Sequence, residues 1–278
     1  MRGTTLTAYV FLLAWSSVGP VAAQDDLDRS FQRAEIRRHD NGRLAYYHWP
    51  AAGPSLLLIP GSWGVYQQYD AVRSYLDQDV NLVIVELPGH GQSWPPTLEG
   101  SIESFARDVL RVTDVLGWKS WYAGGHSIGG MIAIELAAQR PERIAGVISI
   151  EGWTHHQVLA EAFSGRLYET LSASQEQQRQ LARQKTLNRF SNEQRASFVS
   201  IWTRWDGEPI LRTTPVRVLE VWGDRNEPLP DRQAMRIPDR KNVRLHWIKG
   251  ASHALPLERP AQVAAAINRF IQTREDRP

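Results

Sequence analysis

The feature that most constrains this chain is a repeated alternation of short apolar runs with longer segments of helical spacing. Short runs that lack polar alternation are typical of strands buried on both faces of a sheet. Repeated strand–helix units of this kind predict an α/β fold with a mostly parallel sheet covered by helices. The predicted strands are 44–49, 55–59, 81–87, 120–123, 144–150, 216–222 and 243–247, and the predicted helices are 101–116, 128–139 and 258–271.

One segment interrupts the alternation. Residues 152–212 contain no clear buried strand and are rich in glutamine, arginine and aromatic side chains. We therefore predict a helical lid inserted between two parts of one core, 24–151 and 213–278. Most of its aromatic residues are expected to dock the lid onto the core, while Trp63 and Trp153 are assigned to a substrate pocket.

The N-terminus has the pattern of a secretory signal peptide. Arg2 is followed by an apolar stretch over 6–15, and the small residues at 21–23 suit cleavage after Ala23. The alternative is an uncleaved anchor, although the apolar stretch is short for a span of about 20 residues. We predict a signal peptide at 1–23 and a mature protein that is periplasmic or secreted, without a stable membrane span.

The composition excludes several classes of protein. The 278 residues include no cysteine, which excludes a disulfide scaffold, a zinc–thiolate site and a cysteine nucleophile. A formal net charge of +2 is too small for a strong nucleic-acid footprint. No cluster of residues indicates a metal or an organic cofactor, so the expected partner is a small-molecule substrate. The sequence carries no signal for an oligomeric state.

A candidate nucleophile lies between a predicted strand and a predicted helix. The sequence GHSIG at 125–129 matches G-x-S-x-G, in which small neighbours permit the strained turn that exposes the serine. Ser127 needs a base to accept its proton, and His253 lies at the same sheet edge, after the last predicted strand. The amides of Ile128 and Ser62 are the expected donors to a developing oxyanion.

Four motifs in order resemble those of the α/β-hydrolase superfamily. They are LIPG at 58–61, ELPGHGQS at 86–93, GHSIGG at 125–130 and GASH at 250–253, and the resemblance covers roughly residues 40 to 273. It implies an α/β-hydrolase fold with a helical lid and a serine nucleophile, but says almost nothing about the substrate. Two positions depart from the family pattern: Pro60 replaces the usual histidine before Gly61, and Glu86 replaces the usual aspartate.

The resemblance leaves the acid of the triad open. In most of the family it stands three residues after a glycine that ends the seventh strand, and here that position holds Asn226. Asp224 and Glu227 flank this position. Some relatives, similar to haloalkane dehalogenases, carry the acid directly after the sixth strand, where this chain has Glu151. We favour Glu151; the alternatives are Glu227, Asp224 or no working acid.

The expected activity is that of an exported serine hydrolase that cleaves a carboxylic ester or related acyl bond. Ser127 is the expected nucleophile, His253 the base and Glu151 the acid that orients the base. The same parts also serve carbon–carbon bond hydrolysis, which is one alternative. The other is a ligand-binding or receptor protein with little turnover, for which the asparagine at position 226 is the main argument.

Overall fold

The computed structural model describes residues 31–38, 40–97 and 99–273, so the predicted signal peptide at 1–23 lies outside the described residues. The strands are β1 (Gln32–Arg37), β2 (Arg43–Trp49), β3 (Ser55–Ile59), β4 (Asn81–Val85), β5 (Trp121–His126), β6 (Ile144–Ile150), β7 (Val218–Gly223) and β8 (Val243–Ile248). The α-helices are α1 (Asp70–Arg73), α2 (Ile102–Val115), α3 (Ile128–Gln139), α4 (Val158–Phe163), α5 (Ala173–Leu187), α6 (Asn192–Thr203), α7 (Glu208–Thr213), α8 (Leu255–Glu258) and α9 (Pro260–Gln272).

The strands form one sheet in the order β1-β2-β4-β3-β5-β6-β7-β8. β1 and β2 pair antiparallel, β2 is antiparallel to β4, and all the other pairs are parallel. The predicted α/β fold is thus confirmed, and β3, α3 and β6 begin and end at the predicted residues. The sequence analysis missed β1, an edge strand whose side chains are mostly exposed and polar.

The apolar runs form strands because both faces of the sheet are covered. In β3, Leu57 and Ile59 pack into the cluster that includes α2 and α3, whereas Leu56 and Leu58 pack into the cluster that includes α9. Each of these four side chains is fully buried. Burial of one such side chain stabilises the fold by roughly 1.5–3 kcal/mol, so the central strands form a rigid platform.

The segment between β6 and β7 carries four helices, α4 to α7. α5 and α6 each begin with a capping box, in which a serine and a glutamine three residues later satisfy each other's backbone N–H. Phe163, Phe190 and Phe198 are buried, and Trp205 Nε1 donates to Glu135 Oε2 of α3 at 3.1 Å. Most aromatic residues of the segment therefore attach it to the core, and the role of residues 152–212 as a lid stays a prediction. Of the helices in the described residues, none is long and apolar enough to span a membrane.

Candidate active site

Ser127 lies on a strained turn between β5 and α3. Its backbone has φ 54° and ψ −123°, a region that residues with a side chain rarely adopt. The glycines around it are required by close packing: a Cβ on Gly125 would lie 2.2 Å from the Gly129 carbonyl, and one on Gly129 would lie 2.1 Å from Ile59 O. Strain of this kind costs of order 1–3 kcal/mol and persists at functional sites.

Two backbone amides beside Ser127 have no acceptor. A Cβ on Gly61 would lie 3.3 Å from Ser127 Cβ, so the loop after β3 lies against the serine. In that loop the N–H groups of Gly61 and Trp63 donate to side chains at 2.9 Å. Across the described part of the chain, by contrast, the N–H groups of Ser62 and Ile128 have no protein acceptor, and Ile128 is the first residue of α3. Both amides are therefore free to bind an oxyanion.

A polar chain ties this loop to His253. Gly61 N–H donates to Gln68 Oε1 at 2.9 Å, and Gln68 Nε2 contacts His126 Nδ1 at 2.6 Å. His126 Nε2 in turn contacts the backbone carbonyl of His253 at 2.6 Å. Burial lowers the pKa of His126 to about 3, so the neutral ring accepts at Nδ1 and donates at Nε2. The loop after β3, which carries Gly61, and the loop after β8, which carries His253, are thus held in a fixed relation.

His253 lies in the loop after β8, and 4% of its surface is exposed. Its ring Nδ1 is 3.3 Å from Glu151 Oε2, and its backbone N–H donates to Leu167 O at 2.8 Å. Within the described residues, Ser127 Oγ makes no hydrogen bond with the His253 ring, and Ser127 is half-buried. Hydrogen bonds between a nucleophile and its base are often long in ligand-free enzymes and tighten when substrate binds.

Glu151 follows β6 directly, is fully buried and has φ 51°. Its Oε1 accepts from Gly223 N–H at 2.8 Å and from Arg225 Nη1 at 3.0 Å. Its Oε2 accepts from Arg225 Nη2 at 2.7 Å and faces His253. Burial by itself raises the pKa of Glu151, but the charge of Arg225 and the hydrogen bond with His253 outweigh this effect and bring the pKa to about 2. The carboxylate beside His253 is therefore ionised.

The other candidate acids have different contacts. Asp224 Oδ1 accepts from the N–H groups of Asn226 and Gly250, at 2.9 and 2.7 Å, and so shapes the loops after β7 and β8. Glu227 is exposed and forms an ion pair with Arg166. The structure thus brings Glu151 and His253 together and directs Asp224 and Glu227 to other partners.

The two predicted substrate-binding tryptophans differ in their surroundings. Trp153 packs against the His253 ring, with ring centroids 4.9 Å apart, and its buried Nε1 has no hydrogen-bond partner among the residues that the structure describes. Trp63 is 7% exposed and packs against Phe190 and Phe198, at 5.2 and 4.7 Å between ring centroids. Trp153 is therefore adjacent to the candidate base His253, whereas Trp63 packs the loop after β3 against the inserted helices.

Arg225 and Gln68 are the site residues that the sequence analysis missed. Arg225 stands directly before Asn226, the usual acid position, but an arginine there belongs to no pattern that indicates a catalytic group. Gln68 stands in no recognisable motif, since its partner His126 lies 58 residues further along the chain. Within the described part of the chain, no group of three or more His, Cys, Asp or Glu side chains could hold a metal ion.

Comparison with known families agrees with this architecture. The sequence profile described as alpha/beta hydrolase fold matches residues 54–199, more than half of the chain. The chain belongs to this family. The predicted resemblance to α/β-hydrolases is thereby confirmed.

One curated relative of this alpha/beta hydrolase fold protein comes from Azorhizobium caulinodans and is named as a carbamate hydrolase, RutD. It is 32% identical over 131 residues, which cover 47% of this chain and 48% of the relative. The chain thus spans about half the length of this curated relative.

Solved structures resemble the chain over most of its length. A bacterial membrane phospholipase A has a TM-score of 0.72 at 21% identity, with 88% of this chain and 87% of that chain covered. The carboxylesterase CesB of Bacillus subtilis has a TM-score of 0.65 at 19% identity, covering 87% and 92%. At these identities the likeness shows the fold.

Proposed function

We propose that this protein is an exported serine hydrolase that cleaves a carboxylic ester or a related acyl bond. The observation that carries the proposal is the contact between buried, ionised Glu151 and His253. This contact lies at the same sheet edge as Ser127, where the N–H groups of Ser62 and Ile128 have no acceptor in the described residues. Esterases and lactonases among the structural neighbours support the reaction class.

The reaction proceeds in two halves. Ser127 Oγ attacks the carbonyl carbon while His253 accepts the hydroxyl proton, and Glu151 stabilises the imidazolium that forms. The tetrahedral oxyanion accepts hydrogen bonds from the N–H groups of Ser62 and Ile128. As the intermediate collapses, the bond to the leaving alcohol breaks and the imidazolium protonates that alcohol. A water molecule, deprotonated by the same imidazole, then attacks the acyl carbon. The bond to Ser127 Oγ breaks, the imidazolium returns the proton to Oγ, and the acid is released.

A protein that only binds ligands is the alternative, because Asn226 stands at the usual acid position and an amide cannot balance an imidazolium. The contact of Glu151 with the same imidazole, made from the end of β6, supports a carboxylate at a different position and therefore favours an enzyme. No observation favours carbon–carbon bond hydrolysis over acyl transfer.

The decisive experiment is labelling of the mature protein with a fluorophosphonate, followed by peptide mapping. We expect the label on Ser127, and its absence in Ser127→Ala and His253→Ala variants that remain folded. Absence of label in the unaltered, folded protein would contradict the proposal. Rates of hydrolysis of a panel of esters by the unaltered protein would then define the acyl group that the site accepts.

Matched variants test the acid. We expect Glu151→Gln to lower the labelling rate by a factor on the order of 10⁴, as removal of a triad acid does. Asp224→Asn and Glu227→Gln remove a carboxylate without touching His253 and should label at nearly the original rate. The reverse ranking would move the role of acid to the loop after β7.

Export has a separate test. Expression of the full chain in a bacterial host, followed by fractionation and N-terminal sequencing, should yield a periplasmic or secreted protein that begins at Gln24. A membrane-bound protein that retains residues 1–23 would instead show the uncleaved anchor.

A further inference from the structure

Arg225 forms a two-point ion pair with Glu151, the proposed acid of the triad. Its guanidinium binds both oxygens of Glu151 side by side, and one of these oxygens, Oε2, also faces His253 Nδ1. The Arg225 contact to Oε2 is 2.7 Å, whereas the His253 contact is 3.3 Å. A two-point pair of this kind fixes the plane and direction of a carboxylate.

The arginine is as enclosed as the acid. Its side chain is 2% exposed, it donates to Gly223 O at 2.6 Å, and its guanidinium carbon lies 3.7 Å from the centroid of the Phe163 ring. Its Nε also donates to Arg166 O at 3.2 Å. A buried cation so placed is screened weakly by solvent, so its charge acts strongly on its neighbours.

We propose that Arg225 is a positioning residue for the Glu151–His253 pair. Its guanidinium orients the carboxylate beneath the imidazole and lowers the pH at which the pair takes up a proton. This inference rests on the proposed function, because it concerns the base of that reaction.

The direction of the effect follows from charge. Because Glu151 Oε2 and His253 Nδ1 are in contact, proton uptake by one residue depends on the charge of the other, and the pair binds its first proton at an apparent pH that belongs to both. The protonated pair carries one more positive charge, which Arg225 repels. Removal of the arginine charge therefore moves proton uptake to higher pH, whichever of the two residues holds the proton.

The size of the effect follows from the shared oxygen. Because Arg225 Nη2 and His253 Nδ1 both contact Glu151 Oε2, the two nitrogens lie within about 6 Å of each other. At an effective dielectric constant of about 20, one charge at about that separation shifts a proton affinity by about two pH units.

Other titratable groups face the pair and are common to all variants. Burial keeps His126 uncharged and raises the pKa of Glu220 to about 8, which leaves that carboxyl protonated at neutral pH. The remaining neighbours are the Tyr168 ring, 5.9 Å from the His253 ring between centroids, and Glu258, whose carboxylate accepts from Ser252 N–H. These groups are the same in every variant, so a difference between the profiles of Arg225→Gln and Arg225→Lys is assigned to the charge of Arg225.

The test is the pH dependence of the second-order rate constant for fluorophosphonate labelling of Ser127. In Arg225→Gln we expect the acidic limb of this profile to move up by about two pH units. In Arg225→Lys, which keeps the charge but loses the two-point contact, the limb should stay within about half a unit while the rate falls. A purely structural role would lower the rate in both variants and leave the limb in place, and that result would overturn the inference.

A matched control is Arg236→Gln. Arg236 also lies between β7 and β8, also has φ 53°, and also pairs with a glutamate, Glu161 of α4. Its substitution should leave the profile unchanged. A shift as large as that of Arg225→Gln would show a general effect of lost arginine charge and would overturn the specific role.

A double variant covers the case in which Arg225→Gln does not fold, since that variant buries an unpaired carboxylate. Glu151→Gln alone leaves the guanidinium unpaired beside His253, whereas Glu151→Gln with Arg225→Gln buries no charge at this position. We expect the double variant to label about tenfold faster than Glu151→Gln, and an equal or slower rate would overturn the inference. Failure of the unaltered protein to label at any pH would refute the proposed function instead, so the two failures are distinguishable.

Discussion

The strained backbone of Ser127 predicts that a glycine at this position makes the protein more stable than an alanine does. Both substitutions remove the hydroxyl, so neither variant can form an acyl-enzyme. They differ in one Cβ atom, which alanine must hold at φ 54° and ψ −123° and which glycine lacks. The comparison therefore isolates the conformational strain of the turn.

The magnitude can be worked out from three contributions. Relief of strain at such a position contributes of order 1–3 kcal/mol. The glycine variant loses roughly 0.5–1 kcal/mol of stability because its unfolded backbone is freer. It loses a few tenths of a kcal/mol more because it lacks the half-buried methyl group of alanine. We expect Ser127→Gly to be more stable than Ser127→Ala by about 1 kcal/mol.

Urea unfolding of the two variants, followed by tryptophan fluorescence, measures this difference. The control is the same pair of substitutions at Ser200, inside helix α6. There alanine is favoured over glycine by about 1 kcal/mol, so the sign must reverse. If glycine is no more stable than alanine at position 127 while the control behaves as expected, the turn stores no strain and the reasoning is refuted.

Two further predictions concern buried groups near the site. Glu220 is fully buried and its pKa is raised to about 8 by burial, so the folded protein binds an extra proton between about pH 4.5 and pH 8 and loses stability as the pH rises through that window. Relative to the original protein, Glu220→Gln should therefore gain roughly 5 kcal/mol of stability as the pH rises between those limits, as measured by urea unfolding at several pH values; a constant difference would contradict this. Trp153→Phe removes an N–H group that has no partner in the described residues and also shrinks a buried ring, so we expect a loss of about 1–2 kcal/mol in the free energy of unfolding together with a raised KM for ester substrates. An unchanged KM would show that Trp153 does not bind substrate.

Local sequence patterns predicted the central part of the fold. β3 and β6 are buried on both faces, so every residue in them is selected for apolar character and their ends are visible. β1 escaped detection because its side chains project from an edge strand into solvent, where polar residues serve equally well. Its pairing with β2 is made by the backbone, which the sequence does not encode directly.

The same distinction applies to the site. Ser127 was found because the turn around it demands glycines at fixed spacing, and His253 because it follows the last strand. The contact between Arg225 and Glu151 joins residues 74 positions apart, and no local spacing constrains such a pair. Its prediction would have required the positions of two loops relative to each other, which only the folded sheet provides.

The adjacency of β6 and β7 has an evolutionary consequence. Glu151 reaches from the end of one strand to the last residue of the next, where its Oε1 accepts from Gly223 N–H at 2.8 Å. Because β6 and β7 are neighbours in the sheet, both positions at which the family carries its acid lie at one edge, next to the loop of His253. Under the proposed assignment to Glu151, the acid can change strands during evolution while the histidine loop stays in place, and Asn226 stands at the position that this chain does not use.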